Sequence, residues 1–275
     1  MNLDPNVLIA VFGGGVFGAA IGALPAFIFT GVLVLIGVAT TVAGGKSVIT
    51  DLIAFGPYFG PNVAFAGGVA AAAFAGRIGA LSAGGDLKTA LARTKSFSVL
   101  FVGGVFGVIG HLITSVLNAA KFPSDNIAIG VVLSGCIARL AFGKSGLFGK
   151  SDKPKSLLPA ADSFAMNILL AASLGFLSAY ASSVTGSPVI GFGISAVSLI
   201  FAQTGFDVPA THHIVLPAAI AAAAFGSFWM GALFGALGFI VGSFGGNLLN
   251  TNVDSHIDPP AFAIAILTLV VNLLA

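Results

Sequence analysis

The residues able to do chemistry are few, and most of them stand beside prolines. His212 and His213 follow Thr211, with Asp207 just upstream, while Tyr58 and Asn62 flank Pro61 much earlier in the chain. Thr30 and Ser187 lie next to two further prolines, Pro25 and Pro188. Hydroxyl, amide and imidazole groups of this kind hydrogen-bond a small polar solute, and an imidazole with an ordinary pKa of about 6.5 is able to carry a proton. Metal binding is not expected. Adjacent histidines point to different helix faces, and no further Cys, His or carboxylate cluster shows ligand spacing. No cofactor and no catalytic residue is expected either. The chain has no Glu, so the H-E-x-x-H signature is impossible, and no nucleophile motif appears. Gly44-Gly45-Lys46-Ser47 ends like a phosphate loop, but Thr40 stands where its first glycine is required.

The elements that hold these residues are apolar. Of 275 residues 57% are hydrophobic and 7% charged, whereas a soluble domain is about 25% charged. Residues 5–45, 52–76, 96–120, 163–206 and 208–253 contain no Asp, Glu, Lys or Arg. A helix crossing a bilayer needs about 20 apolar residues, so the composition predicts a polytopic all-α membrane protein with the lipid bilayer as its first partner. Soluble domains, nucleic-acid binding and a disulfide scaffold are excluded, with Cys136 the one cysteine. Met1-Asn2-Leu3-Asp4-Pro5 lacks the positive region of a signal peptide, so the first apolar run is expected to be a retained span.

Breaks at Gly, Pro and charged residues predict ten spans, at 6–24, 26–43, 58–80, 96–119, 125–143, 162–182, 187–204, 208–226, 228–248 and 259–275. Pro25 divides the first stretch, leaving either two short spans or one span and a re-entrant piece. Nine basic residues then fall on one side, in the loop after the third span and the linker after the fifth, against Lys46 and Lys121 on the other. Short cytoplasmic loops gather Lys and Arg. The expected topology in the cell membrane is therefore N-out and C-out, with the 144–161 linker cytoplasmic.

The sequence resembles itself. Val69-Ala70-Ala71-Ala72-Ala73-Phe74 returns as Ile220-Ala221-Ala222-Ala223-Ala224-Phe225, each after a Pro-containing polar stretch. Gly103-Gly104-Val105-Phe106-Gly107 matches Gly231-Ala232-Leu233-Phe234-Gly235, and Leu117-Asn118 followed by Asp125 matches Leu249-Asn250 followed by Asp258. The order is preserved, which predicts two five-helix repeats, residues 1–143 and 162–275, joined by the basic linker. Five spans per repeat is an odd number, so the repeats should be inverted, with the solute site at broken helices near the midplane.

Glycines spaced by four, as at Gly14, Gly18 and Gly22 or Gly238, Gly242 and Gly246, predict close helix packing. Surplus glycine faces make a homo-oligomer plausible. Asp4, Asp125 and Asp258 precede apolar runs as N-caps should, Asp162-Ser163 similarly. Arg139 is expected to snorkel to the cytoplasmic interface, and His111 to bond a neighbouring helix. Asp254 and His256 share the last loop, as solvated residues or as a proton-handling pair.

Thr30-Gly31-Val32-Leu33-Val34-Leu35-Ile36-Gly37 resembles the threonine-glycine-leucine-rich segment after the first-repeat break of urea transporters. The five-plus-five plan is similar to theirs and to that of the ammonium transporters. Ala23-Leu24-Pro25-Ala26-Phe27 stands where the urea family carries glutamines, and the paired histidines of the ammonium family come from two helices rather than adjacent positions. The resemblance implies an architecture and leaves the substrate open. The expectation is a transporter or channel for a small polar solute, with proton coupling through histidine allowed. Its path should pass Tyr58, Asn62, Asp207, Thr211, His212, His213, Thr30 and Ser187. A membrane subunit docking a cytoplasmic partner through the 81–95 loop or the 144–155 charges is the alternative, and a membrane-embedded enzyme a more distant one.

Overall fold

In the computed structural model, residues 3–150, 156–157, 159 and 161–275 are described; Lys153 and Lys155 of the basic linker lie outside them. The described chain is all helical, without strands. Its helices are α1 (Pro5–Ile21), α2 (Ala23–Val42), α3 (Ala66–Arg77), α4 (Phe97–Ala119), α5 (Asn126–Phe142), α6 (Phe164–Thr185), α7 (Ile190–Ser198), α8 (Ile200–Gln203), α9 (His212–Phe225), α10 (Phe228–Leu249) and α11 (Pro259–Leu274). Four stretches, α2, α4, Ala161–Thr185 and α10, are long and apolar enough to cross a membrane by length and composition; the other apolar helices are shorter.

Local chemistry sets the boundaries. Asp4, Asp125 and Asp258 cap α1, α5 and α11, accepting from the backbone N–H of Asn6, Ala128 and Ala261 at 2.8 Å each. Ser163 precedes α6 without a side-chain cap bond. The break between α1 and α2 is a correction to the Pro25 expectation. It falls at Gly22, whose φ of 100° suits glycine, and Pro25 sits in the first turn of α2, where its missing N–H costs nothing. The expected 58–80 span starts only at Pro61, with a π-helical turn, Pro61–Phe65, leading into α3. A second such turn, Ile49–Ala54, was not expected from the sequence.

Glycine seams hold α1 to α4 and α6 to α10, and they correspond residue by residue. A Cβ on Gly15 would run into the Gly103 carbonyl and Gly107, just as one on Gly175 would run into the Gly231 carbonyl and Gly235. Gly103 lies against Ala19, and Gly231 against Ala179. Gly110 approaches the Asn62 carbonyl where Gly238 approaches that of His213.

Helices in matching positions also pack on each other. Ser124 Oγ, just before α5, donates to Ala265 O midway along α11 at 2.7 Å, while Gly135, midway along α5, faces Ile257 just before α11. The two helices therefore run antiparallel. Likewise Gly31 of α2 meets Ala196 and Val197, and Gly193 of α7 meets Val34 and Leu35.

Arg139 departs from expectation. Its side chain is 0% exposed rather than snorkelling. It donates from Nε to Ser255 Oγ (3.0 Å), from Nη2 to Ser255 O (2.6 Å) and Asn250 Oδ1 (3.0 Å), and from Nη1 to Leu147 O (2.9 Å) and Leu249 O. The loop between α10 and α11 supplies enough polar backbone to hold the guanidinium inside.

Candidate functional site

A cavity of about 510 Å³ lies between α2, α5, α7, α9 and α11. Its wall is mostly apolar, with the rings of Phe27, Phe55, Phe65 and Phe192 prominent, and its polar side chains are Asp125, His212, His256 and Asp258. Among the described residues, no Lys or Arg lines it. The wall is drawn from matching positions. Asp125 and Asp258, Ala128 and Ala261, and Val131 and Ile264 are three pairs, each 133 residues apart. Pro61 and His212, and Phe65 and Leu216, are two more, each 151 apart.

The starts of α5, α9, α11 and the Pro61 turn all reach this cavity. Helix starts carry partial positive charge, and the two aspartates answer it at α5 and α11. The halves then differ. Asp258 also lies 3.2 Å from His256 Nε2, whereas Pro123 occupies the place matching His256. His212, 6% exposed, lies against Phe27 and Phe192 with ring centroids 4.7 and 6.0 Å away, and its Nδ1 has no hydrogen-bond partner among the described residues. The cavity thus offers an apolar body site with carboxylate and imidazole groups concentrated on the α11 side.

Of the eight sequence candidates, His212 lines the cavity. His213 turns away from it toward α10, where Gly242 leaves room for the ring: a Cβ there would sit 2.6 Å from Nε2. Asn62, at the matching position, donates to Gly110 O (3.3 Å) and Thr114 Oγ1 (3.1 Å) and knits α4 to the Pro61 turn. Thr211 is N-cap of α9, with its hydroxyl 2.6 Å from Ser195 Oγ. Thr30 donates to Phe59 O at 2.7 Å, bracing the turn before Pro61. Tyr58 is 52% exposed and stacks on Phe59. Asp207 is exposed in the loop before α9. Ser187 stays outside the lining, its neighbours Pro188 and Val189 contributing instead.

One other expectation is corrected. His111 lies 3.3 Å from Ser115 Oγ one turn along its own helix, while His256 pairs with Asp258 rather than Asp254. Asp254 accepts instead from Lys144 N (2.5 Å) and Ser145 Oγ (2.7 Å). Sequence reasoning missed the cavity-lining role of Asp125 and Asp258 because N-capping explained them fully. The signal was that both caps fall at matching positions, 133 residues apart, in the self-similar stretches of the sequence.

One family model matches the chain, over residues 1–162 and 154–275: a family of unknown function, DUF7973. No curated protein and no solved structure matches it.

Proposed function

We propose that this chain, which belongs to the DUF7973 family, is a membrane transporter whose solute path runs through the cavity between two inverted five-helix repeats. The observation that carries this reading is the paired lining: Asp125 with Asp258, Ala128 with Ala261 and Val131 with Ile264, contributed by α5 and α11 running antiparallel. A twofold relation between antiparallel helices has its axis across them. In a bilayer it would lie in the membrane plane, the arrangement that places solute sites near the midplane of secondary transporters. Surface residues support the bilayer as solvent, since Met166, Leu169, Leu177, Trp229 and Leu233 are exposed on α6 and α10.

The lining narrows the solute. An apolar cavity with a few convergent polar groups binds a molecule with an apolar body and one polar head, here met by Asp258, His256 and His212. A histidine–carboxylate pair in the wall gives a proton a place to reside during transport. The test is flux into proteoliposomes of purified protein. Tracers would be a small amine, an amino acid with an apolar side chain, a short fatty acid and a neutral alcohol, each with and without a pH gradient. The reading expects uptake of one class above empty liposomes, abolished by Asp258→Asn. Folded protein that moves none of the four overturns it.

A further inference from the structure

α5 and α11 each enter the cavity wall behind a capping aspartate, and each is tied at its other end to the loop that leads into its counterpart. The two ties are unequal. Asn272, near the end of α11, is exposed and donates from Nδ2 to Pro123 O at 3.3 Å, in the loop leading to α5. Arg139, near the end of α5, occupies the matching position 133 residues earlier. Fully buried, it reaches Leu147 O just after its own helix and four acceptors on Leu249, Asn250 and Ser255, in the stretch that leads to α11.

The surroundings add to the difference. At the Arg139 end, Asn250 also clasps Ile257, donating from Nδ2 to Ile257 O (2.7 Å) and accepting its N–H at Oδ1 (3.1 Å). Asp254 joins the same loop to Lys144 and Ser145. At the Asn272 end, among the described residues, one further neutral bond, Ser124 Oγ to Ala265 O, spans the junction. A guanidinium held on neutral acceptors is expensive to bury, and among the described residues no carboxylate lies within ion-pair distance of it. Four of its five acceptors lie on the end of α10 and the loop that runs on to His256 and Asp258 of the cavity wall.

We infer that Arg139 and Asn272 are matched ties of two gates. Arg139 is a positioning residue that keeps its own end shut in the resting protein, so the cavity opens first at the Asn272 end. This inference rests on reading the cavity as a path and adds a gate and a resting direction to it. By the distribution of basic residues, the shut end is the cytoplasmic one.

The test uses the full chain in membranes, with Cys136→Ser as background and a single cysteine at Ala128 or Ala261 in the cavity wall. A small membrane-impermeant cationic methanethiosulfonate is added to right-side-out or inside-out vesicles. Reaction is expected from the outer face and not from the cytoplasmic face. Arg139→Gln removes most of the donors and should raise the cytoplasmic-face rate at least about tenfold by shifting the population. Arg139→Lys should act in the same direction but less, and Asn272→Ala should leave that rate unchanged. Equal reaction from both faces in the parent overturns the inference. So does a folded Arg139→Gln protein with unchanged sidedness, or a cavity cysteine unreactive from either face before and after that change. Should Arg139→Gln not accumulate, Ser255→Ala, which removes one acceptor, must give a smaller rise, and no rise there is equally fatal. Labelling needs no transport, so sided labelling without flux would refute the transporter reading alone.

Discussion

Gly15 and Gly175 offer the sharpest check on the correspondence between the halves. Gly15→Ala places a methyl group against the Gly103 carbonyl and Gly107, and Gly175→Ala against the Gly231 carbonyl and Gly235. Backbone atoms cannot rotate away as a side chain would, so each helix pair must move apart along its whole seam. Overpacking of this kind costs about 1–3 kcal/mol, and an unyielding backbone puts these two sites toward the upper end. Alanine returns about 1 kcal/mol through better helix propensity. The net loss is about 2 kcal/mol at each site, which for a chain of this size lowers the melting temperature by about 5 °C. Gly13, two residues from Gly15 on the same helix, has nothing within 4 Å of its notional Cβ, so Gly13→Ala should leave stability unchanged or raise it. Thermal unfolding of purified protein in detergent reads all three. Similar losses at Gly15 and Gly175, with none at Gly13, are expected. A loss at one seam and tolerance at the other would refute the equivalence, and a loss at Gly13 would refute the packing argument.

Asp258→Asn should keep the α11 cap, since Asn ranks with Asp there, while Asp258→Ala should cost about 1 kcal/mol of stability; both should abolish flux, and a stable Asp258→Asn protein with full flux would remove that carboxylate from the path. Thr30→Val deletes the donor to Phe59 O and should lower stability by about 1–2 kcal/mol in detergent unfolding, without altering cavity labelling. Burial raises the Asp254 carboxyl, but hydrogen bonds from the Lys144 N–H and the Ser145 hydroxyl outweigh it and hold the pKa below its ordinary 3.8. A depressed acid stabilises the fold above the ordinary carboxylate value and loses that contribution as pH falls through the folded value. Asp254→Asn should therefore be less stable than the parent at pH 7 and equal to it once both are strongly acidified, as unfolding curves across that range would show.

The helices were legible because apolar runs, prolines and capping aspartates act locally. Asp125 and Asp258 capped where sequence placed them, and each of the ten expected segments contains helix. Gly22 rather than Pro25 makes the first break, since a proline in an opening turn lacks only an N–H that would go unbonded anyway. The site was harder to read because wall membership depends on which way a helix faces its neighbours. His212 and His213 are adjacent and equally polar, yet one lines the cavity and the other fills the space left by Gly242, a residue 29 positions away. Arg139 looked like an interfacial side chain because its five acceptors, four of them more than 100 residues distant, carry no charge that sequence reasoning would pair with it.

The most direct measurement blocks the cavity during transport. A single cysteine at Ala128, in the Cys136→Ser background, is reconstituted into proteoliposomes and assayed with the tracer that the parent moves, before and after modification by the methanethiosulfonate. The account predicts that flux falls to the rate of empty liposomes once the cavity wall is derivatised, and returns when reduction removes the adduct. Undiminished flux through a fully modified protein would contradict it, placing the path elsewhere.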